Sequence, residues 1–292
     1  MNIAIIGVGL IGGSFALALR REYADLRVTG IDRDADALDD ALRRGVIDDA
    51  ASPAAMADCD VILIAVPVRQ FSTVLAEIAA YLNPETVVTD TGSTKQDVIA
   101  AARAVLGNKI SQFVPGHPIA GREHTGVVAA ASELFEGKNV VLTPIEENTP
   151  ESIERVRSLW RACGARVVEI PAETHDAVFA SVSHLPHLLA FALVDELAAR
   201  PNAKTLFSFA ASGFRDFTRI ASSNPEMWTD IALNNRDALL RELSAYEVQL
   251  NVLKKAIETS DGDALQNLMS RARHARDHWI AGELDEFRDE AI

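Results

Sequence analysis

The sequence predicts an α/β fold in which a doubly wound parallel sheet fills the N-terminal part and an all-helical part follows. Three observations carry that reading. Short β-branched runs alternate with helix-length segments up to Ile170, as strands and crossover helices do. Those runs lack polar alternation, which suits strands covered on both faces. Beyond Pro171 the β-branched runs stop, and apolar residues recur at helical spacing. With 292 residues the chain is long for one domain, and the boundary is expected at Ile170-Pro171, giving parts 1–170 and 171–292.

Taken in order, Ile3–Ile6 and Arg27–Ile31 read as the first two strands, with a helix over Ile11–Arg20 between them. Ala35–Arg44 is the next helix, and Val61–Val66 the third strand. Phe71–Tyr81 is helical, Thr86–Thr89 is a strand, and Thr94–Leu106 is helical again. Asn139–Leu142 and Arg166–Ile170 close the strand series. The helical part is expected over Ala177–Ala199, Met227–Glu258 and Asp263–Trp279, with an acidic, frayed end over Glu283–Glu290.

Composition narrows the function classes. Forty-two acids against 28 bases give a net charge of −14, which argues against a general nucleic-acid or anionic-membrane binder. The two cysteines, Cys59 and Cys163, form neither a disulfide framework nor a metal-ligand spacing. The chain opens without a basic leader, and no uninterrupted apolar run approaches the ~18 residues of a membrane span. A cytoplasmic protein without metal is expected.

Gly7-Val8-Gly9-Leu10-Ile11-Gly12 matches G-x-G-x-x-G after a predicted strand and before a predicted helix. Glycines there allow a tight turn and close backbone approach, so that the helix N-terminus faces a pyrophosphate. Asp32, at the end of the second strand, is placed to accept from ribose hydroxyls and to repel a 2′-phosphate. The expected cofactor is therefore NAD held in a Rossmann-like domain. Arg33 beside Asp32 softens the preference over NADP. Val66 and Pro67, at the end of the third strand, shape the same crevice. Ser14 reads equally as a phosphate contact or a first-turn helix residue.

Further polar segments lie where such a sheet exposes its active edge: Asp90–Lys95, Gly116–Glu123, Ser183–His187, Gly213–Ala221 and Asn224–Trp228. Together with the glycine turn, they resemble the prephenate and arogenate dehydrogenases of tyrosine biosynthesis over residues 1 to 235. The resemblance implies NAD-dependent oxidative decarboxylation of a cyclohexadienyl acid: prephenate to 4-hydroxyphenylpyruvate, with arogenate as a further substrate. An arogenate-preferring, NADP-using enzyme and a catalytically silent NAD-binding regulator are the alternatives. Neither a chorismate mutase domain nor a β-containing regulatory domain is visible.

On that resemblance His117 is the base for the ring hydroxyl, held in a loop between Gly116 and Pro118. Ser93 orients His117 and the hydroxyl; by its chemistry alone it would also serve as an N-cap for the helix expected from Thr94. Arg219 anchors the ring carboxylate through its planar guanidinium fork, with Arg215 structural. His187 touches the substrate side chain, while His184 reads as a packed residue at a helix start. Glu123 gates substrate access, and Trp228 reaches the site from a neighbouring subunit or packs in the core. Arg122 departs from the smaller polar residue that the family pattern leads one to expect. Leu185, Leu188, Leu189, Phe191 and Leu193 cover one helix with apolar surface on several sides. Such a helix is buried by several neighbours, so a two-fold homodimer through the helical part is expected.

Overall fold

The structure is a computed structural model that describes residues 1–122 and 124–283. It falls into two compact units, Met1–Leu239 and Leu240–Ile292.

In the first unit, β1 (Asn2–Ile6) is followed by α1 (Leu10–Glu22), β2 (Arg27–Ile31) and α2 (Ala35–Arg43). Next come β3 (Asp49–Ala50), β4 (Val61–Ile64), α3 (Val68–Ala79), β5 (Val87–Asp90), α4 (Gln96–Leu106) and β6 (Phe113–Val114). These six strands form one parallel sheet in the order β3-β2-β1-β4-β5-β6. Period-two geometry explains its two buried faces. Ile3, Ile5, Val61 and Leu63 enter one core, with Phe15 of α1. Ala4, Ile6, Ile62 and Ile64 enter the other, with Phe71 and Leu75 of α3. Each of these Ile, Val, Leu and Phe side chains contributes about 1.5–3 kcal/mol by its burial.

The two late strands do not join that sheet. β7 (Gly116–Pro118), β8 (Asn139–Leu142) and β9 (Arg166–Glu169) form a separate sheet in which β7 runs antiparallel to β8 and β8 parallel to β9. The expected single sheet is thus corrected to two. Three short strands went unread, because two or three residues carry no periodicity. α5 (Pro150–Ala162) packs Trp160 against Phe15 and Phe135.

After Pro171, which occupies the N-cap position, α6 (Ala172–Phe179) passes through one π-turn, Ala180–His184, into α7 (Leu185–Ala198). This stretch of 27 residues is long and apolar enough to cross a bilayer by length and composition. It nevertheless carries buried His175, Asp176 and His184, all hydrogen-bonded to neighbouring segments. Short helices α8 (Ala203–Ser208) and α9 (Ser212–Thr218) follow, then α10 (Pro225–Asn234), capped by Asn224. The expected helix Met227–Glu258 is broken at Asn235, after which α11 (Arg236–Glu258) begins. Only Leu185 and Ala190 of α7 are buried within the chain.

The second unit holds most of α11 and α12 (Gly262–Ala281), which starts on Asp261 as N-cap and stops at Gly282 in the left-handed region. Val248, Val252, Ile257 and Met269 are exposed on this unit.

Candidate active site

The strand order reverses between β1 and β4, the switch point at which open parallel sheets bind ligands. The glycine turn leaves β1 there. Gly7 has φ +93°, and a Cβ on it would lie 2.4 Å from the Ala65 carbonyl oxygen and 3.1 Å from Val66. A Cβ on Gly12 would meet the Gly7 carbonyl oxygen at 2.4 Å. Gly9 differs, since a Cβ there meets nothing within 4 Å. Two glycines therefore close the turn, and the third leaves open space at the N-terminus of α1, where Leu10 and Ile11 begin the helix with no acid in the first turn. Such a terminus suits an anion. Asp32 lies just past β2, where its carboxylate accepts from the N–H groups of Val8 at 2.9 Å and Asp34 at 3.0 Å. Exposed Arg33 stands beside it, and half-buried Val66 and exposed Pro67 lead into α3. Ser14 is settled as structural: fully buried, its hydroxyl accepts from Ala131 N–H at 3.0 Å.

A buried polar cluster begins at the end of β5. Asp90 and Lys95 are both buried and pair at 2.5 Å, and Lys95 Nζ also donates to the Gly116 carbonyl at 2.7 Å. Asp90 accepts from the N–H groups of Gly92 and Gly116. The loop carrying half-buried Ser93 is thereby tied to the strand carrying His117. Ser93 is not an N-cap, contrary to one expectation. α4 starts at Gln96, and its free N–H groups are taken by Asp176 of α6, which accepts from Lys95 N–H at 2.8 Å and Gln96 N–H at 2.9 Å.

His117 sits in β7, not in a loop, opposite Val141 of β8. Its Nδ1 lies 2.9 Å from Nε2 of His175, and its ring leans on Phe179 at a centroid distance of 5.0 Å. His175 in turn places Nδ1 2.8 Å from Asp176 Oδ1. Burial, then His175, Lys95 and His184, hold the His117 imidazole well below its usual range, so it is neutral at pH 7. Burial works against the Asp176 carboxylate, but hydrogen bonds from His175, Gln96 and Lys95 keep it below the usual carboxylate range. Sequence reading missed His175 and Asp176. The available signal was a His-Asp pair inside an otherwise apolar helical stretch.

His184 is the last residue of the π-turn and the N-cap residue of α7, buried as expected, and burial pushes its pKa down to about 4. Its Nδ1 accepts from Asn235 Nδ2 at 3.0 Å, and the same amide donates to the Asp176 carbonyl. His187, one turn later, donates Nδ1–H to the Ser183 carbonyl at 2.9 Å and stacks on Trp228 at 3.7 Å. That contact is made within one chain, so it needs no second subunit. Arg219 opens the 3-10 turn after α9 rather than sharing a helix with Arg215. Its charge reaches His187, whose pKa is lowered by burial first and by Arg219 as well. Arg122 pairs with Glu133 at 3.0 Å on the surface. Glu123 falls outside the described residues.

Arg69 of α3 pairs with Glu226 and reaches Asp230 at 3.6 Å, joining the helix after the cofactor crevice to the helix that carries Trp228. Among the described residues no group of three or more His, Cys, Asp or Glu side chains is placed to hold a metal ion.

Comparison with known proteins matches these two regions to two domains of one family. Residues 15–169 match the prephenate dehydrogenase nucleotide-binding domain, and residues 171–271 match the prephenate dehydrogenase dimerization domain. The chain is 38% identical over 280 residues to prephenate dehydrogenase of Bacillus subtilis, covering 94% of this chain and 75% of that one. It is 37% identical to cyclohexadienyl dehydrogenase of Zymomonas mobilis, covering 94% of both chains. The fold superimposes with TM-score 0.88 and 36% identity on Aquifex aeolicus prephenate dehydrogenase solved with hydroxyphenyl propionate and NAD+, covering 95% of this chain and 98% of that one. With both halves matched, one by a nucleotide-binding and one by a dimerization domain, the chain is an oxidoreductase that belongs to the prephenate dehydrogenase family.

Proposed function

We propose that this protein oxidatively decarboxylates prephenate to 4-hydroxyphenylpyruvate with NAD, in tyrosine biosynthesis. The observation that carries the reading is a neutral, half-buried imidazole, His117, tied through Asp90 and Lys95 to the active edge of a sheet whose switch point carries an open glycine turn. The residues fit the cofactor. Space above Gly9 and the α1 N-terminus suit a pyrophosphate, and Asp32 suits ribose hydroxyls. NAD, when bound, supplies the hydride acceptor.

In this reading His117 takes the proton of the ring hydroxyl. The hydrogen on the same carbon departs with its electron pair, and the electrons of the breaking bond to carbon dioxide complete the aromatic ring. Ser93, on the loop fastened to Gly116, aligns the hydroxyl. Arg219 holds the ring carboxylate, a local cation that matters against a net charge of −14. His187, backed by Trp228, meets the substrate side chain. Glu123 controls access. A neutral base is required at working pH, and positioned proton transfer of this kind contributes about 10²–10⁴-fold.

The nucleotide-binding part is taken as 1–170 and the helical part as 171–292. The protein works as a cytoplasmic homodimer through the helical part, binding neither nucleic acid nor membrane. Support comes from the dimerization-domain match and from α7, whose Leu188, Leu189, Phe191 and Leu193 are only half-buried within one chain. The test is reduced-nicotinamide absorbance with purified protein, pairing prephenate or arogenate with NAD or NADP. Growth of the signal with prephenate and NAD is expected. A larger rate with arogenate and NADP would overturn the substrate and cofactor assignment. Silence in all four mixtures would leave a cofactor-binding regulator.

A further inference from the structure

The hydrogen-bond chain behind His117 assigns the protons on three side chains. Asp176 accepts two backbone N–H groups of the α4 start, at 2.8 and 2.9 Å, so its carboxylate is anchored as an acceptor. His175 Nδ1, 2.8 Å from Asp176 Oδ1, must then carry the proton and donate. A neutral His175 leaves its Nε2 with a lone pair, and the group facing that lone pair at 2.9 Å is His117 Nδ1. His117 is therefore the donor in that bond, which leaves its own Nε2 unprotonated. Burial favours the neutral imidazole at both histidines, as the chain requires.

From this geometry we propose that His175 and Asp176 are positioning residues that hold His117 in the Nδ1–H tautomer and so make Nε2 the atom that takes the hydroxyl proton. The inference rests on His117 being the base. When the proton arrives at Nε2, the imidazolium keeps its Nδ1–H bond to His175, so no rearrangement is needed. The same carboxylate that fixes the tautomer also caps the start of α4. The segment after Pro171 thus sets both the ring orientation and the loop carrying Ser93. The logic is that of an oriented base in which a third group holds the imidazole.

Two measurements test it. Ring-¹⁵N NMR of histidine-labelled protein, with His117 assigned by its loss in His117→Asn, is expected to show a protonated Nδ1 and a pyridine-like Nε2. A protonated Nε2 overturns the proposal. In steady-state kinetics with prephenate and NAD, His175→Leu removes the acceptor and is expected to lower kcat about 10²-fold while changing either KM less than about threefold. His175→Gln returns an acceptor oxygen near the lost Nε2 and is expected to recover most of kcat. Equal kcat in the Leu variant, or equal loss in both variants with a raised KM, overturns the positioning role. The failures separate. Full activity of His117→Asn removes the base itself, whereas a normal His175→Leu with an inactive His117→Asn leaves the base in place and removes only its support.

Discussion

The glycine turn follows β1 and the polar cluster around His117 begins at the end of β5, two strand ends of one parallel sheet, and they are built by opposite means. In the turn, backbone does the work: Gly7 and Gly12 are pressed against carbonyl oxygens, Gly9 faces open space, and the pieces lie within six consecutive residues. In the cluster, side chains do the work. Asp90, Lys95, His117, His175, Asp176, His184 and Asn235 come from six elements or connections and satisfy one another away from water. The first region is built to receive a group from outside. The second is built to fix which atoms carry protons. Exposed anion sites tolerate local change, while buried polar networks are costly when half satisfied.

The contrast is open to attack at both ends. The largest effect is expected from His117→Asn, which should lower kcat by about 10²–10⁴-fold with NAD affinity kept, read by steady-state rates and by calorimetric titration of NAD. Comparable loss of both would mean that the two regions are not separable. Next, Lys95→Met strands the Asp90 carboxylate beside two backbone N–H groups, and breaking a buried pair of this kind costs about 3–5 kcal/mol. A urea midpoint within error of the parent would show that the pair is dispensable.

Acid should also undo the cluster first. His184 has a pKa of about 4 in the fold against 6.5 for the free side chain, so between those values the unfolded chain binds the extra proton. Stability then rises with pH across that window and is lost as pH falls through it. His184→Asn keeps an acceptor for Asn235 and removes this titration, so its urea midpoint should fall less than the parent's between neutral pH and about pH 4.5. Parallel curves for the two proteins would refute the assignment. The smallest effects belong to the turn. Gly7→Ala forces a Cβ onto a carbonyl at positive φ and should cost about 1–3 kcal/mol in thermal or urea unfolding. Gly9→Ala should leave the melting curve unchanged and weaken NAD alone, because its Cβ fills only the space above α1.

Four strands of the main sheet, β1, β2, β4 and β5, were readable to within a residue or two because burial on both faces leaves an uninterrupted apolar run, as in Val61–Ile64, whereas the two-residue edge strands β3 and β6 were not. The separate sheet was not readable. Nothing in Asn139–Leu142 says whether it pairs with Gly116–Pro118 or extends the parallel set; that choice depends on where the chain returns. Ser93 illustrates the same limit. A serine after a glycine at a strand end is a sound capping candidate, but the cap of α4 comes from Asp176, 81 residues beyond Lys95. Trp228 was open between reaching a neighbouring subunit's site and packing in the core, and within one chain it stacks on His187 and meets the ring of His184 edge-on.

Strand and helix placement, the glycine turn and its acid at the end of β2 follow from the order of residues, since each depends on spacing along a single segment. Which side chains shelter His117, and on which nitrogen its proton rests, was decided only when the helix after Pro171 met the end of β5. A hydrogen bond between residues 58 positions apart leaves no periodic trace in a sequence. In a site shielded from water, it is the donor and acceptor nearest in space that set where a proton stays.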